Sequence, residues 1–371
     1  MSAPEKVTLL SSARNGVLLR QGGEADVYLL CLDSGERLTL KWFKQPFHAE
    51  LVEIIQRIKD DGICRIREFG IYENSPYQLY DYVEGISSDR LKEMPVAVAL
   101  YAMRQVVSSL QKVIKVGSSH GDLNPSNIIF TVKERKDCTE LQTVLIDWGI
   151  TGPGALAYAA PERFQGKAPD EKSDLFSLGM LLFRWIAGEN LVEASSFDQF
   201  ASENSRQETS KVSEKLFLSG KLSPEEISAL EPIWDATLSC NMEDRADDFE
   251  ELDELLEIAL SCVGGGDVAL SGCLKKYLIE LTPMIGKAGQ NVSDNLECAG
   301  EPQFPFKNFS PKKHGNTLKI AILGAVGIFV LAIALVFALG TKTPNVDDTA
   351  KVILDNSRSH LLQNSPTPSK E

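Results

Sequence analysis

Between residues 120 and 149 the chain sets three oxygen-bearing side chains in a fixed order. Asp122 comes first, Asn127 follows five residues on, and Asp147 closes the series at the end of an apolar run. The first two lie in His120-Gly121-Asp122-Leu123-Asn124-Pro125-Ser126-Asn127-Ile128-Ile129, the third in Leu145-Ile146-Asp147-Trp148-Gly149. Phosphoryl transfer from ATP needs a base to orient an attacking hydroxyl and oxygen ligands to hold Mg²⁺ on the phosphates. One acid, one amide and a second acid supply that set. Each piece alone is also what a turn or a strand end carries. Together, in this order and at this spacing, they point to that chemistry.

The flanking sequence predicts an α+β protein in two lobes. Residues from about 7 to 84 are strand-rich. Val27, Leu29 and Cys31 alternate with other residues, Asp33-Ser34-Gly35 marks a turn, and Leu38, Leu40 and Trp42 alternate again. Leu51, Ile54, Ile55 and Ile58 give a short helical pattern, and Tyr77–Tyr82 another strand. Residues from about 93 to 262 are mainly helical, with apolar-periodic segments at Val96–Val116, Leu175–Ala187 and Phe249–Leu260, and the larger lobe is set at about 85–262. A small antiparallel sheet lobe beside a larger helical lobe leaves a cleft between them. Residues 263–318, opening on Gly264-Gly265-Gly266, read as a partly ordered linker.

The ordered series resembles the protein-kinase catalytic loop H-R-D-x-x-x-x-N followed by D-F-G. By that resemblance Asp122 is the catalytic base, and Asn127 and Asp147 are metal ligands for Mg²⁺ or Mn²⁺. Leu38-Thr39-Leu40-Lys41 resembles V-A-I-K, which implies that Lys41 pairs with the phosphates of ATP. The turn at Gly22 and Gly23, leading to Val27, is a partial match to G-x-G-x-x-G-x-V. Aligned on Val27, the first glycine becomes Arg20 and the third Ala25. The family's Lys takes a Glu partner from the next helix. Glu50 and Glu53 both qualify, and Glu53 has the more typical context. Position along the chain assigns the adenine-binding backbone to Asp81 and Val83, with Tyr80 behind it. Tyr158-Ala159-Ala160-Pro161-Glu162 resembles Y-x-A-P-E, and Asp174-Leu175-Phe176-Ser177-Leu178-Gly179 resembles D-x-W-S-L-G. Arg245 matches the buried Arg that pairs with the A-P-E Glu, here Glu162. The resemblance covers residues 15–255 and is nearest in style to bacterial serine/threonine kinases with one membrane span.

Four departures bear on activity. Gly121 replaces the H-R-D Arg, and the segment between Gly149 and Pro161 is short, with Thr151 and Tyr158 as its hydroxyl side chains. No activating phosphorylation is expected there. Asn124 stands in the catalytic loop where serine/threonine kinases usually carry a Lys that stabilises the transferring phosphate. Ala155 stands where they carry a Thr. The resemblance implies an ATP-dependent kinase acting on protein Ser or Thr. A pseudokinase that holds ATP without useful catalysis is the alternative, and a small-molecule phosphotransferase, suggested by the H-G-D form, is a third.

From Ile320 to Gly340 the chain carries no charge, enough to cross about 30 Å of hydrocarbon. The reading is therefore one transmembrane helix over 319–341, in contact with the lipid bilayer, and a polar tail over 342–371. Lys307, Lys312, Lys313 and Lys319 precede the span, while Asp347 and Asp348 follow it. That bias places the catalytic part in the cytoplasm and the tail outside. A net charge of −14 argues against a nucleic-acid partner. Seven cysteines without a C-x-x-C pair fit reduced thiols rather than a zinc site or disulfide framework. The substrate protein is not encoded in any local pattern.

Overall fold

A computed structural model describes residues 9–46, 49–72, 74–136, 138–148, 155–192 and 205–298. All of them fall in one compact unit. The small lobe is a five-stranded antiparallel sheet of β1 (Ala13–Gln21), β2 (Ala25–Leu32), β3 (Arg37–Phe43), β4 (Ile66–Tyr72) and β5 (Ser75–Asp81), ordered β1-β2-β3-β5-β4. Period-two alternation decides its two faces. Leu30, Leu38, Leu40 and Leu79 pack together on one side. On the other side, Tyr80 and Ile66 join the main core with Val52 and Ile55 of α1 (Ala49–Gln56).

The large lobe is built on α2 (Val96–Ile114), whose Val98, Ala99, Leu100, Ala102, Val106, Val107 and Val113 are wholly enclosed. Three short strands, β6 (Ile86–Ser87), β7 (Ile128–Glu134) and β8 (Thr139–Leu145), form a second antiparallel sheet. Because β8 ends at Leu145, Asp147 emerges beside the catalytic loop that precedes β7. The one-turn α3 (Pro161–Phe164) follows, then α4 (Glu171–Ala187). A capping box of Asp170 and Ser173 starts α4, and Gly188 ends it at φ 79°, a conformation glycine adopts without penalty. Helices α5 (Ser205–Leu218), α6 (Pro224–Thr237) and α7 (Phe249–Val263) complete the lobe.

Residues expected to form a linker open instead with a 32-residue helix, α8 (Asp267–Cys298). Gly265 and Gly266, both at positive φ, let the chain bend by 92° between α7 and the described part of α8. The glycine triplet is a corner rather than the start of an unstructured stretch. Leu274, Leu278, Leu281 and Ile285 recur at helical spacing and face the body of the protein. Through them α8 packs on α2 and on β6, β7 and β8, and it reaches β1. Among the described residues no single helix is long and apolar enough to cross a membrane. The span expected over 319–341 and the tail over 342–371 lie outside the described residues.

Candidate active site

The catalytic loop is held from below by Asp174, in the first turn of α4. Its carboxylate accepts the backbone N–H of His120 at 2.7 Å and of Gly121 at 2.9 Å. Complete burial pushes the Asp174 carboxyl up to about 7, against the pull of those two donors. Gly121 sits at φ 76°, and a Cβ there would lie 2.8 Å from Pro169 Cβ. The residue replacing the family's Arg is thus fixed by backbone conformation and by a close neighbour. The His120 ring packs on Trp148 with centroids 4.4 Å apart, and its Nε2 lies 3.1 Å from Ile146 O. Burial lowers its pKa to about 4, so it is neutral and acts as packing.

Asp122 stands above this base. Its Oδ1 accepts from Ala155 N at 2.7 Å and its Oδ2 from Asn127 Nδ2 at 2.8 Å. Burial is the main cause raising its pKa, and the Asp147 charge adds to it. Asn127 Nδ2 also donates to Asp122 O at 2.9 Å, so both amide hydrogens are used. That leaves the Asn127 carbonyl oxygen as a pure acceptor. Asn124, counted with the catalytic residues from sequence, is turned into the loop. It accepts from Ser126 N at 3.0 Å and donates to Asp122 O at 3.1 Å, capping the turn Pro125–Asn127.

Lys41 reaches across from β3 and forms an ion pair with Asp147 Oδ1. Asp147 holds φ 69°, a left-handed backbone that Asp tolerates better than most residues. The glutamate partner assigned from sequence is a correction. Glu53 and the alternative Glu50 are both exposed, and neither makes an ion pair among the described residues. The reason is helix rotation: Val52 and Ile55 take the buried face of α1. A helix of eight residues carrying apolar groups at 51, 52, 54 and 55 has more than one face to bury.

The glycine turn is closed on itself. Gly22 N donates to Asp26 Oδ1 at 3.2 Å, and Lys44 pairs with the same carboxylate at 3.1 Å. A side chain at 22 would meet Ala25 O at 2.6 Å, whereas Gly23 is open on all sides. Val27 is half-buried on β2, opposite Lys41 of β3. At the hinge, Asp81 N donates to Arg65 O at 3.0 Å, and the Asp81 carboxylate pairs with Arg67 at 2.7 Å. Tyr80 is fully buried behind it, and Val83 is half-buried against the main core.

The structure therefore brings Lys41, Asp122, Asn127 and Asp147 together, with the turn at Gly22, Gly23 and Val27 on the sheet above. Asn127 and Asp147 offer hard oxygen donors, the set that suits Mg²⁺ when waters and phosphates complete the shell. Three contributors have a role at the site that no local pattern gives: the Asp174 carboxylate, the Ala155 N–H and the buried Gln78 across from Lys41. Asp174 was visible as a motif residue, but its clamp on the loop depends on a contact 53 and 54 residues away.

The family profile described as "Protein kinase domain" matches residues 18–251. Serine/threonine-protein kinase A of Synechocystis is 31% identical over 172 residues, covering 39% of this chain and 32% of that protein. Serine/threonine-protein kinase PknJ of Mycobacterium tuberculosis is 31% identical over 160 residues, covering 40% and 27%. The matches thus span about a third or less of these relatives' length. Among solved structures, a double mutant of the M. tuberculosis PknI kinase domain is similar at TM-score 0.51 and 19% identity, covering 68% of this chain and 99% of that one. The maize sucrose-induced receptor kinase 1 kinase domain is similar at TM-score 0.52 and 17% identity, covering 69% and 98%. At those identities the two structures speak for the fold alone.

Proposed function

The chain belongs to the protein kinase family, and from that premise we propose that it transfers the γ-phosphate of ATP to Ser or Thr hydroxyls of other proteins. The observation that carries this reading is the convergence of Lys41, Asp122, Asn127 and Asp147 on one point between the lobes. Two serine/threonine kinases among the relatives support the choice of acceptor. Asp122 orients the acceptor hydroxyl and takes its proton; burial raises its pKa and makes it a stronger base than an exposed Asp. Lys41 binds phosphate oxygens once Asp147 releases it. Asn127, through its carbonyl oxygen, and Asp147, through its carboxylate, would hold Mg²⁺ or Mn²⁺. A bound divalent ion supplies the positive charge that the phosphates need. The hinge backbone at Asp81 and Val83 reads the adenine edge. The protein substrate follows from none of these features.

One observation favours a second reading, a nucleotide-binding pseudokinase. Asn124 is spent on the loop itself, so the cation that usually faces the transferring phosphate has no substitute at that position. The acceptor class separates these readings. After incubation with Mg-ATP and a mixed peptide library, acid hydrolysis and phosphoamino-acid analysis should yield phosphoserine or phosphothreonine. Labelling confined to small aminoglycoside or choline-like acceptors would assign the fold to small-molecule transfer, and ATP binding without any labelling would favour the pseudokinase.

Membrane attachment is a separate proposal. The uncharged run from Ile320 to Gly340 supports one span, and the lysines before it support a cytoplasmic catalytic domain. Release of the full chain from membranes by carbonate or high salt, without detergent, would rule this out.

A further inference from the structure

Among the described residues Lys41 has no glutamate partner on α1, and its ammonium lies over the Phe43 ring at 4.9 Å. The face of α1 turned toward the sheet is Val52 and Ile55, and Glu50 and Glu53 point to solvent. Lys41 is only 8% exposed, and the ion pair that it makes among the described residues is with Asp147. A carboxylate oxygen bonded to an ammonium is not free for a divalent cation. When Asp147 turns to a metal–nucleotide complex, the Lys41 ammonium must be held by something else or lose its aim.

Gln78 is placed to hold it. In the register of β3 with β5, Gln78 is the direct partner of Lys41. Directly opposed residues project to one face of the sheet with Cβ atoms about 5 Å apart. Gln78 is fully buried at 0% exposure. Its Oε1 accepts the hydroxyl of Tyr80, and its Nε2 has no hydrogen-bond partner among the described residues. A buried donor without a partner is rare and calls for an explanation. Half a turn about the last side-chain bond exchanges the two ends of the amide. Nε2 then donates to the Tyr80 oxygen, and Oε1 faces Lys41. Burial and the nearby Asp147 charge keep the Tyr80 hydroxyl protonated, so it serves as donor in the first arrangement and acceptor in the second.

We propose that Gln78 is the positioning residue for Lys41 in the nucleotide-loaded protein, with Tyr80 anchoring the far end of its amide. The role is the one expected of a glutamate on α1, transferred to a neighbouring strand. It deepens the kinase reading above and rests on it. An amide fills this role without a second buried charge, which fits a face of the sheet that joins the main core with Val52, Ile55 and Cys64.

The test uses the full chain and two readouts: equilibrium binding of Mg-ATP, and KM for ATP separately from kcat. Gln78→Leu removes the acceptor for Lys41 and also the partner of the buried Tyr80 hydroxyl, so its melting temperature should fall somewhat and is measured beside its affinity. Its Mg-ATP affinity should fall, and its KM for ATP rise, by about tenfold, the worth of a hydrogen bond to a charged group. Gln78→Glu, with a carboxylate at the same place, should bind at least as tightly as wild type. Tyr80→Phe should give a smaller loss in the same direction, and it serves as the second probe if Gln78→Leu proves unstable. Wild-type affinity in both Gln78→Leu and Tyr80→Phe would overturn the proposal. So would a loss in the double variant Glu50→Ala/Glu53→Ala as large as that in Lys41→Ala. If wild type binds Mg-ATP without transferring phosphate, the catalytic reading fails and the affinity series still decides the role of Gln78. If wild type binds no Mg-ATP, both fall.

Discussion

Arg245 and Glu162, 83 residues apart in sequence, meet in a buried two-pronged ion pair, with NH1 to Oε1 at 2.7 Å and NH2 to Oε2 at 2.9 Å. The Arg245 side chain is wholly enclosed and gives two further donors to Ser239 O and Lys172 O. The planar guanidinium fork therefore ties α3 to the start of α4 and to the turn before α7. Removing one partner leaves a buried charge without compensation, which costs about 3–5 kcal/mol. Arg245→Met and Glu162→Gln should each lower unfolding free energy by that order in urea titration. A loss below about 1 kcal/mol, the range of an exposed pair, would contradict the buried geometry.

His120 gives the fold a dependence on pH with a defined sign. Its folded pKa is lowered to about 4 from 6.5, because burial disfavours the imidazolium. Between those values the unfolded chain binds the proton and the folded chain does not, so stability falls as pH drops from 6.5 toward 4. Below about 4 both states are protonated and the dependence ends. His120→Phe keeps a ring against Trp148 and removes the titration. Relative to wild type, the variant should gain about 2 kcal/mol on going from pH 8 to pH 5. Parallel stability profiles for the two proteins would show that His120 is already protonated or exposed in the folded state.

Gly121 couples the catalytic loop to its floor. Any Cβ at φ 76° with Pro169 at 2.8 Å must move the loop or the proline. Gly121→Ala should cost about 1–2 kcal/mol from the backbone conformation alone. It should also lower kcat more than it raises KM for ATP, because Asp122 is the next residue. Unchanged kcat with reduced stability would mean that the loop absorbs the strain without moving the base.

The docking of α8 is a packing claim. Leu281 is 1% exposed, and Leu281→Ala should remove about 2–5 kcal/mol of that packing. Hydrogen exchange should then accelerate across 267–298 first, with α2 and α4 still protected. At the far end of the contact, Gly289 lies where a Cβ would come within 2.9 Å of the Glu84 carboxylate. Glu84 in turn pairs with Arg37 at 3.2 Å beside the hinge. Exchange that is equally fast across 267–298 in wild type and variant would show that the helix is not docked.

Much of this was legible in the sequence because the signals were periodic or strictly ordered. Leu38 and Leu40 alternate, and their strand is where it was expected. The acid–amide–acid series of Asp122, Asn127 and Asp147 folds to one point because β7 and β8 form a hairpin between the second and third members. The buried pair of Arg245 with Glu162 was also readable from motif order. What escaped was orientation. Whether Glu50 or Glu53 faced Lys41 depended on how α1 rolls on the sheet, and Val52 and Ile55 won that contest. Asn124 could be read as a lost cation but not as the cap of its own loop. Gly264-Gly265-Gly266 looked like a break, while the apolar stripe of Leu274, Leu278, Leu281 and Ile285 just beyond it went unused.

Catalysis at Asp122 with Asp147 is read out by phosphate transfer from γ-labelled ATP, with Mg²⁺ or Mn²⁺, onto the full chain itself and onto a generic protein acceptor. Asp122→Ala and Asp147→Ala are run beside wild type, with circular dichroism to show that each is folded. Transfer by wild type that disappears in both variants is the predicted result. Transfer that survives Asp122→Ala, or its absence in a wild type that still binds Mg-ATP, would contradict the account.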